Sequence, residues 1–233
     1  VRLLAITPPA ALAPTLDPAV VDSWLQAGAD ALGLAVLLRE PGASAATILA
    51  DPRLLALRHA LAVRGVPALV SVDPTALELE PLLTAAPALA GIQLRGDPAP
   101  ELCERWRVQL PGMTIGRSVH GATPTPNRFV DYTCLAPIFP PHTVQAGVDK
   151  RAIGLDALRS WTAVCGDVIA LGGVTPANAD ACLAAGARGV AGIRLFFARN
   201  AEARDNVGAL RQVFSLRESP GPDDHGSQAQ RRG

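Results

Sequence analysis

Lysine is almost missing from this chain. Of 21 basic residues only Lys150 is a lysine, and the arginine bias accompanies 21 glycines, 21 prolines and much alanine. That pattern reads as genome composition rather than as a functional choice. Net charge is missing too: 21 basic residues balance 21 acidic ones. A neutral chain excludes a nucleic-acid or membrane partner held by bulk electrostatics, and leaves room for a local anion site. No apolar run reaches the roughly 20 residues of a spanning helix. The opening VRLLAITPPA is too short for the apolar core of a signal peptide and runs straight into a strand pattern. The expectation is a cytoplasmic protein with no nucleic-acid and no membrane partner. Finally, there is no CxxC pair. Cys103, Cys134, Cys165 and Cys182 are scattered, which fits buried thiols better than a metal site or a disulfide frame.

What the chain does have is a core. Forty-nine per cent of its 233 residues are hydrophobic, enough for one large domain or two small ones. Short apolar runs recur at 2–7, 31–40, 67–72, 91–95, 114–120, 132–139, 167–173 and 189–196. Their hydrophobicity is continuous rather than alternating, as in parallel strands buried on both faces. Helical patterns separate them at 18–29, 44–65, 75–86, 100–110, 154–166, 175–186 and 201–218, the second interrupted by Pro52. Thr175 and Pro176 have the residue types of an N-cap and a first helical turn. Between the fifth and sixth runs GATPTPNRFVD (121–131) carries two prolines, so a turn or a stub of helix is expected there. Eight strands with interleaved helices predict a (β/α)8 barrel in a single domain over 1–218, near the typical length of about 250 residues. The polar Gly/Pro-rich tail 219–233 cannot bury enough apolar surface to order itself, and His225 within it is incidental.

In such a barrel, chemistry gathers at the C-terminal ends of the strands. ALGGVTPAN (170–178) is the strongest local signal. A strand ends in Gly172 and Gly173, which admit a ligand close to the backbone, and a helix N-terminus follows that favours an anion. Phosphate is expected there; the alternative is a plain turn. Arg194 either clamps that phosphate or points outward to the last helix. His120 closes TIGRSVH and is the best acid/base candidate, because a histidine's unperturbed pKa of about 6.5 lies near working pH. Ser118 lies two positions earlier and so shares its face, whereas Arg117 and Val119 point to the helical layer. His59 falls mid-helix and reads as solvated. His142 lies in the long segment 140–152, a candidate lid. Arg39 and Asp73 either orient a polar substrate or pair with each other across the mouth. Gln93 and Arg95 end the fourth strand, and Asp97 reads as a cap for the helix that follows.

GRSVH, the APIF strand with its long loop, and ALGGVTPAN occur together in this order and spacing. The set resembles the thiamine phosphate synthase/TenI superfamily, from LLAIT to the last helix. The resemblance implies one of two activities. Thiamine phosphate synthase joins an aminopyrimidine diphosphate to a thiazole phosphate with magnesium. TenI-type proteins are thiazole tautomerases, which aromatise a thiazole carboxylate phosphate by moving a proton. Of the synthase's Q-x-R-x-K arrangement only Arg39 remains, beside Leu37 and Pro41; of its Asn-Asp-Arg only Asp73 remains, between Val72 and Pro74. Its histidine-glycine-glutamine run is Gln93, Arg95 and Gly96 here. Its loop lysine has no counterpart near Thr143, Lys150 lying several residues away, and its strand-eight serine is Arg194. Asp73 and Asp97 are the carboxylates left to hold magnesium. IGRSVH and IQLRGD are similar to the TenI branch, which implies a histidine acid/base at His120, with Ser118 orienting it or the substrate. The same resemblance implies phosphate on Gly172, Gly173, Gly192, Ile193 and Arg194, and a substrate carboxylate on Arg39 or Arg95. It further implies a thiazole phosphate as the small-molecule partner, a homodimer and no metal or other cofactor. Magnesium enters only under the alternative of a divergent synthase. A non-catalytic phosphate-ligand-binding barrel is the remaining alternative.

Overall fold

The computed structural model describes residues 1–76, 79–140 and 151–218. Within them β1 (Leu3–Ile6), β2 (Leu34–Leu38), β3 (Ala68–Val72), β4 (Gly91–Leu94), β5 (Thr114–Val119), β6 (Tyr132–Leu135), β7 (Val168–Leu171) and β8 (Gly189–Gly192) pair in parallel in chain order. β8 returns to β1, with Leu3 opposite Val190 and Ala5 opposite Gly192, and closes the barrel. The expected (β/α)8 fold is the observed one. Of the candidate lid 140–152, residues 141–150 with His142 and Lys150 lie outside the described residues, as does the tail 219–233 with His225.

Both faces of the strands are buried, which is why their apolar runs are continuous. One face fills the barrel: Leu4, Ile6, Leu37, Leu69, Cys134 and Ile169 form a single interior cluster. The alternate residues, such as Leu3, Val36, Val70 and Ile115, pack outward in the cluster shared with the helices. Those helices are α1 (Val20–Gln26), α2 (Ala45–Ala50), α3 (Pro52–Val63), α4 (Leu79–Ala85), α5 (Pro100–Gln109), α6 (Gly154–Cys165), α7 (Pro176–Ala184) and α8 (Asn200–Glu218). Pro52 splits the second helical pattern as its chemistry demands. Ser44 caps α2 by accepting from Thr47 N (3.1 Å), and Asp51 caps α3 by accepting from Arg53 N (2.8 Å). Trp24 on α1 donates Nε1 to Phe196 O (2.9 Å) and meets the rings of Phe196 and Phe197 edge-on, so α1 anchors the turn after β8.

Two strands are shorter than their apolar runs. The run 31–40 begins with a 3-10 turn, Asp30–Leu32, before β2. The run 189–196 leaves the sheet after Gly192 and folds back, Phe196 N donating to Ile193 O (3.1 Å). Apolar side chains continue through both turns because they are buried in the turns as well as in the strands.

The fifth unit has no helix. Residues 121–131 form an irregular loop, and Arg117 lies buried beneath it on the outward face of β5, 1% exposed. Its Nε donates to Thr133 Oγ1 (3.0 Å), an η nitrogen donates to Thr125 O, and its guanidinium lies 5.6 Å from the Trp161 ring centroid. Trp161 in turn donates to Gly121 O (2.9 Å). A cation with a long apolar stem and an indole thus seal the place of the missing helix. Burial lowers the Arg117 pKa below its usual value, and the cation–π contact offsets part of that desolvation.

Candidate active site

The C-terminal ends of the strands place most of the expected residues around one mouth. His120 is the first residue past β5. Its side chain is 44% exposed, and its Nδ1 lies 2.7 Å from Asp97 Oδ2. Asp97 Oδ1 also accepts the His120 backbone N–H, at 2.6 Å. Nε2 makes no hydrogen bond among the described residues.

Asp97 therefore does not cap α5. The N-cap there is Ala99, with no side-chain hydrogen bond. The carboxylate turns away from the helix because Gly96 and Asp97 both take left-handed backbone conformations, φ 78° and 56°. Asp97 N donates to Ser118 O (3.1 Å), stitching the exit of β4 to the end of β5.

Below His120 lies a buried polar layer. Gln93 Nε2 donates to Ser118 Oγ (3.0 Å), and Gln93 itself is 1% exposed. Gln93 Oε1 and the Tyr132 hydroxyl are both buried without a partner among the described residues. Both press against Gly116, where a Cβ would lie 2.2 Å from Gln93 Oε1 and 2.5 Å from the Tyr132 hydroxyl. Burial raises the Tyr132 pKa well above its usual value, so the phenol is neutral. Tyr132 was not singled out from sequence; the tyrosine at the start of an apolar run gave no sign that it points into the barrel.

Two cations occupy the β2–β4 side. Arg39 is held at the end of β2 by Thr7, whose Oγ1 accepts Arg39 N–H (2.8 Å) and donates to Arg39 O (2.9 Å). The Arg39 side chain makes no hydrogen bond or ion pair among the described residues. Burial, and then the nearby charge of Arg95, lower its pKa, yet a guanidinium stays protonated. Arg95 donates an η nitrogen to Ala43 O (2.9 Å). The pairing of Arg39 with Asp73 across the mouth does not form. Asp73 Oδ1 accepts both the backbone N–H (2.9 Å) and the hydroxyl (2.6 Å) of Thr75, which hold its carboxyl below the usual range, with Arg95 adding to the effect.

On the opposite side lie the turns after β7 and β8. Gly172 and Gly173 have φ 89° and 64°. A Cβ on Gly172 would lie 2.6 Å from Pro137 Cβ, and one on Gly173 2.7 Å from Phe139 Cβ and Pro140 O. The glycine pair is therefore required by the chain that follows β6, whatever else it does. Thr175 begins α7 as expected: its N–H is taken by Asn178 Oδ1 (2.8 Å), while Asn178 Nδ2 donates to Gly173 O (3.0 Å). The N–H groups of Gly173, Ile193 and Arg194 have no acceptor among the described residues. Arg194 lies in the turn beyond Gly192 rather than in the strand, and its side chain is exposed with no ion pair to α8 among the described residues. His59 is exposed on α3, away from this mouth.

Magnesium would require carboxylates free to converge. As placed, Asp73 serves its own turn and Asp97 spends both oxygens on His120. No group of three or more His, Cys, Asp or Glu side chains gathers among the described residues. Asp73 and Asp97, together with a substrate's phosphate oxygens, are what would hold the ion here. No helix among the described residues is long and apolar enough to cross a membrane.

The family described as Thiamine monophosphate synthase matches residues 3–196. Thiamine phosphate pyrophosphorylase from Pyrococcus furiosus is 24% identical with a TM-score of 0.66, covering 94% of this chain and 97% of that one. The pyrophosphorylase from Bacteroides thetaiotaomicron is 17% identical with a TM-score of 0.58, covering 94% and 100%. Phosphoribosyl anthranilate isomerase from Thermotoga maritima is 15% identical with a TM-score of 0.60, covering 93% and 99%. At such identities the solved structures speak for the fold alone. No curated protein sequence matches.

Proposed function

The chain belongs to the thiamine monophosphate synthase (TMP-TENI) family, and on that premise we propose that it is a TenI-like thiazole tautomerase of thiamine biosynthesis. It aromatises a thiazole carboxylate phosphate by proton transfer through His120. The observation that carries this reading is the half-exposed imidazole of His120 at the barrel mouth, with Nε2 free of any partner among the described residues. A group that takes a proton from one ring position and returns it to another must meet solvent-accessible substrate and carry no competing hydrogen bond. Proton transfer of this kind leaves oxidation state and composition unchanged, and one histidine suffices.

The rest of the mouth supports the same substrate class. Phosphate is assigned to the amides of Gly173, Ile193 and Arg194, with Gly172 and Gly192 giving the backbone its close approach and the Arg194 guanidinium adding charge. The substrate carboxylate is assigned to Arg39, with Arg95 beside it. Ser118, Gln93 and Asp73 shape the floor and rim between the two anion sites.

The test is to follow aromatisation of the non-aromatic thiazole carboxylate phosphate by ultraviolet absorbance in metal-free buffer. The expected result is acceleration that disappears in His120→Asn. An equal rate in the variant would refute the role of His120. One observation favours a second reading, a divergent synthase: Arg39 stands at the mouth with no side-chain partner among the described residues, as a diphosphate site would need. Magnesium-dependent coupling of an aminopyrimidine diphosphate to a thiazole phosphate would establish it.

A further inference from the structure

We propose that Asp97 is the positioning residue of the proton-transfer site: it holds His120 in the tautomer whose Nε2 is the proton acceptor. The inference rests on the reading of His120 as acid/base.

The hydrogen bonds fix the tautomer. An ionised carboxylate only accepts. The 2.7 Å contact between Asp97 Oδ2 and His120 Nδ1 therefore places the ring proton on Nδ1. The lone pair is then on Nε2, the edge without a partner among the described residues. The second bond, from His120 N–H to Asp97 Oδ1 at 2.6 Å, pins the backbone that carries the ring. One carboxylate thus limits both the position of the residue and the swing of its side chain, and proton transfer is sensitive to displacements of that size. When Nε2 takes the substrate proton, the imidazolium keeps its Nδ1–H donated to Asp97. When Nε2 returns the proton, the starting state is restored. Asp97 itself gains and loses none.

The backbone adds an independent observation. Asp97 is the one non-glycine residue with positive φ among the described residues. A left-handed backbone is disfavoured for residues other than glycine and short polar ones such as Asp or Asn, and such conformations gather at functional sites. Here the conformation aims the carboxylate at β5 and away from α5. α5 takes no side-chain cap, and Asp97 makes no salt bridge to arginine or lysine among the described residues, its charge reaching the buried Arg117 only through space.

Asp97→Asn is the discriminating variant. It keeps an oxygen for the His120 backbone N–H and tolerates the left-handed backbone. It also presents an amide N–H to Nδ1, which forces the ring proton onto Nε2. The experiment records nitrogen-15 spectra of the His120 ring, together with kcat and KM for aromatisation. The expected result is an Nδ1-protonated neutral ring in the wild type and an Nε2-protonated ring in the variant. With that change, kcat falls about 100-fold or more and KM stays within about threefold. A wild-type ring protonated on Nε2 overturns the proposal, as does a variant with the altered tautomer and unchanged kcat. If the wild type fails to aromatise the thiazole, the functional reading falls while the wild-type spectrum still decides the role of Asp97. The same spectrum decides it if Asp97→Asn does not fold.

Discussion

A Cβ placed on Gly116 would lie 2.3 Å from Tyr132 Cζ and 2.2 Å from Gln93 Oε1. The middle of β5 is bare because the β4 amide and the β6 phenol each press against it, under the Ser118–His120 end of the same strand. Gly116→Ala is therefore an overpacking change, expected to cost about 1–3 kcal/mol. Urea unfolding measures the loss. The variant is also expected to disturb the Gln93–Ser118 bond, so an unaltered stability would mean that the two side chains do not crowd Gly116 as described.

The turn glycines and Arg194 separate packing from ligand binding. Gly173→Ala puts a Cβ 2.7 Å from Phe139 Cβ and Pro140 O, so its thermal midpoint is expected to drop without any ligand present. Arg194 is exposed and unpaired among the described residues, so Arg194→Ala is expected to leave the midpoint unchanged. Its inorganic phosphate Kd should rise roughly three- to tenfold, as for loss of one charge-assisted contact. Calorimetric titration with phosphate decides; an unchanged Kd would move the phosphate away from the β8 turn.

Arg117 carries no chemistry in this scheme. It fills the gap left by the absent fifth helix, buried between Thr133, Thr125 and Trp161. Arg117→Ala is expected to lose about 2–4 kcal/mol through the cavity and the orphaned acceptors, read by denaturant titration. A similar-volume Arg117→Met should recover much of that, because a buried charge without a carboxylate partner contributes little net stability.

The thiols give a test of the layers. Burial pushes Cys134 and Cys182 up to about 12 and also raises Cys103. All three are buried, whereas Cys165 is partly exposed at the end of α6. An alkylating reagent at neutral pH is expected to label Cys165 first in the native protein and the other three only after denaturation, with mass spectrometry locating the adducts. Rapid native labelling of Cys134 would contradict its place inside the barrel.

The architecture was legible in the order of the residues. Runs such as RLLAIT, PALVSV and DVIALGG hold several consecutive apolar residues instead of alternating with polar ones, and a sheet covered on both faces satisfies them. Eight of them separated by helical patterns leave little besides a closed barrel. Local chemistry was equally legible where the partner is a few residues away: Pro52 divides a helix, Thr175 and Pro176 open one, and the outward direction of Arg117 follows from strand alternation. Only the tertiary structure decided what depends on register between strands. Beside the helix that follows it, Asp97 reads as a cap. The β4–β5 register sets Leu94 opposite Arg117, and the same offset carried three residues onward sets Asp97 opposite His120. Likewise Gly172 and Gly173 read as room for a ligand until the fold brings Pro137 and Phe139 against them. Short-range signals survive in a sequence because the interacting residues travel together. Contacts between strand ends depend on closure and register, which are set by packing of the whole barrel.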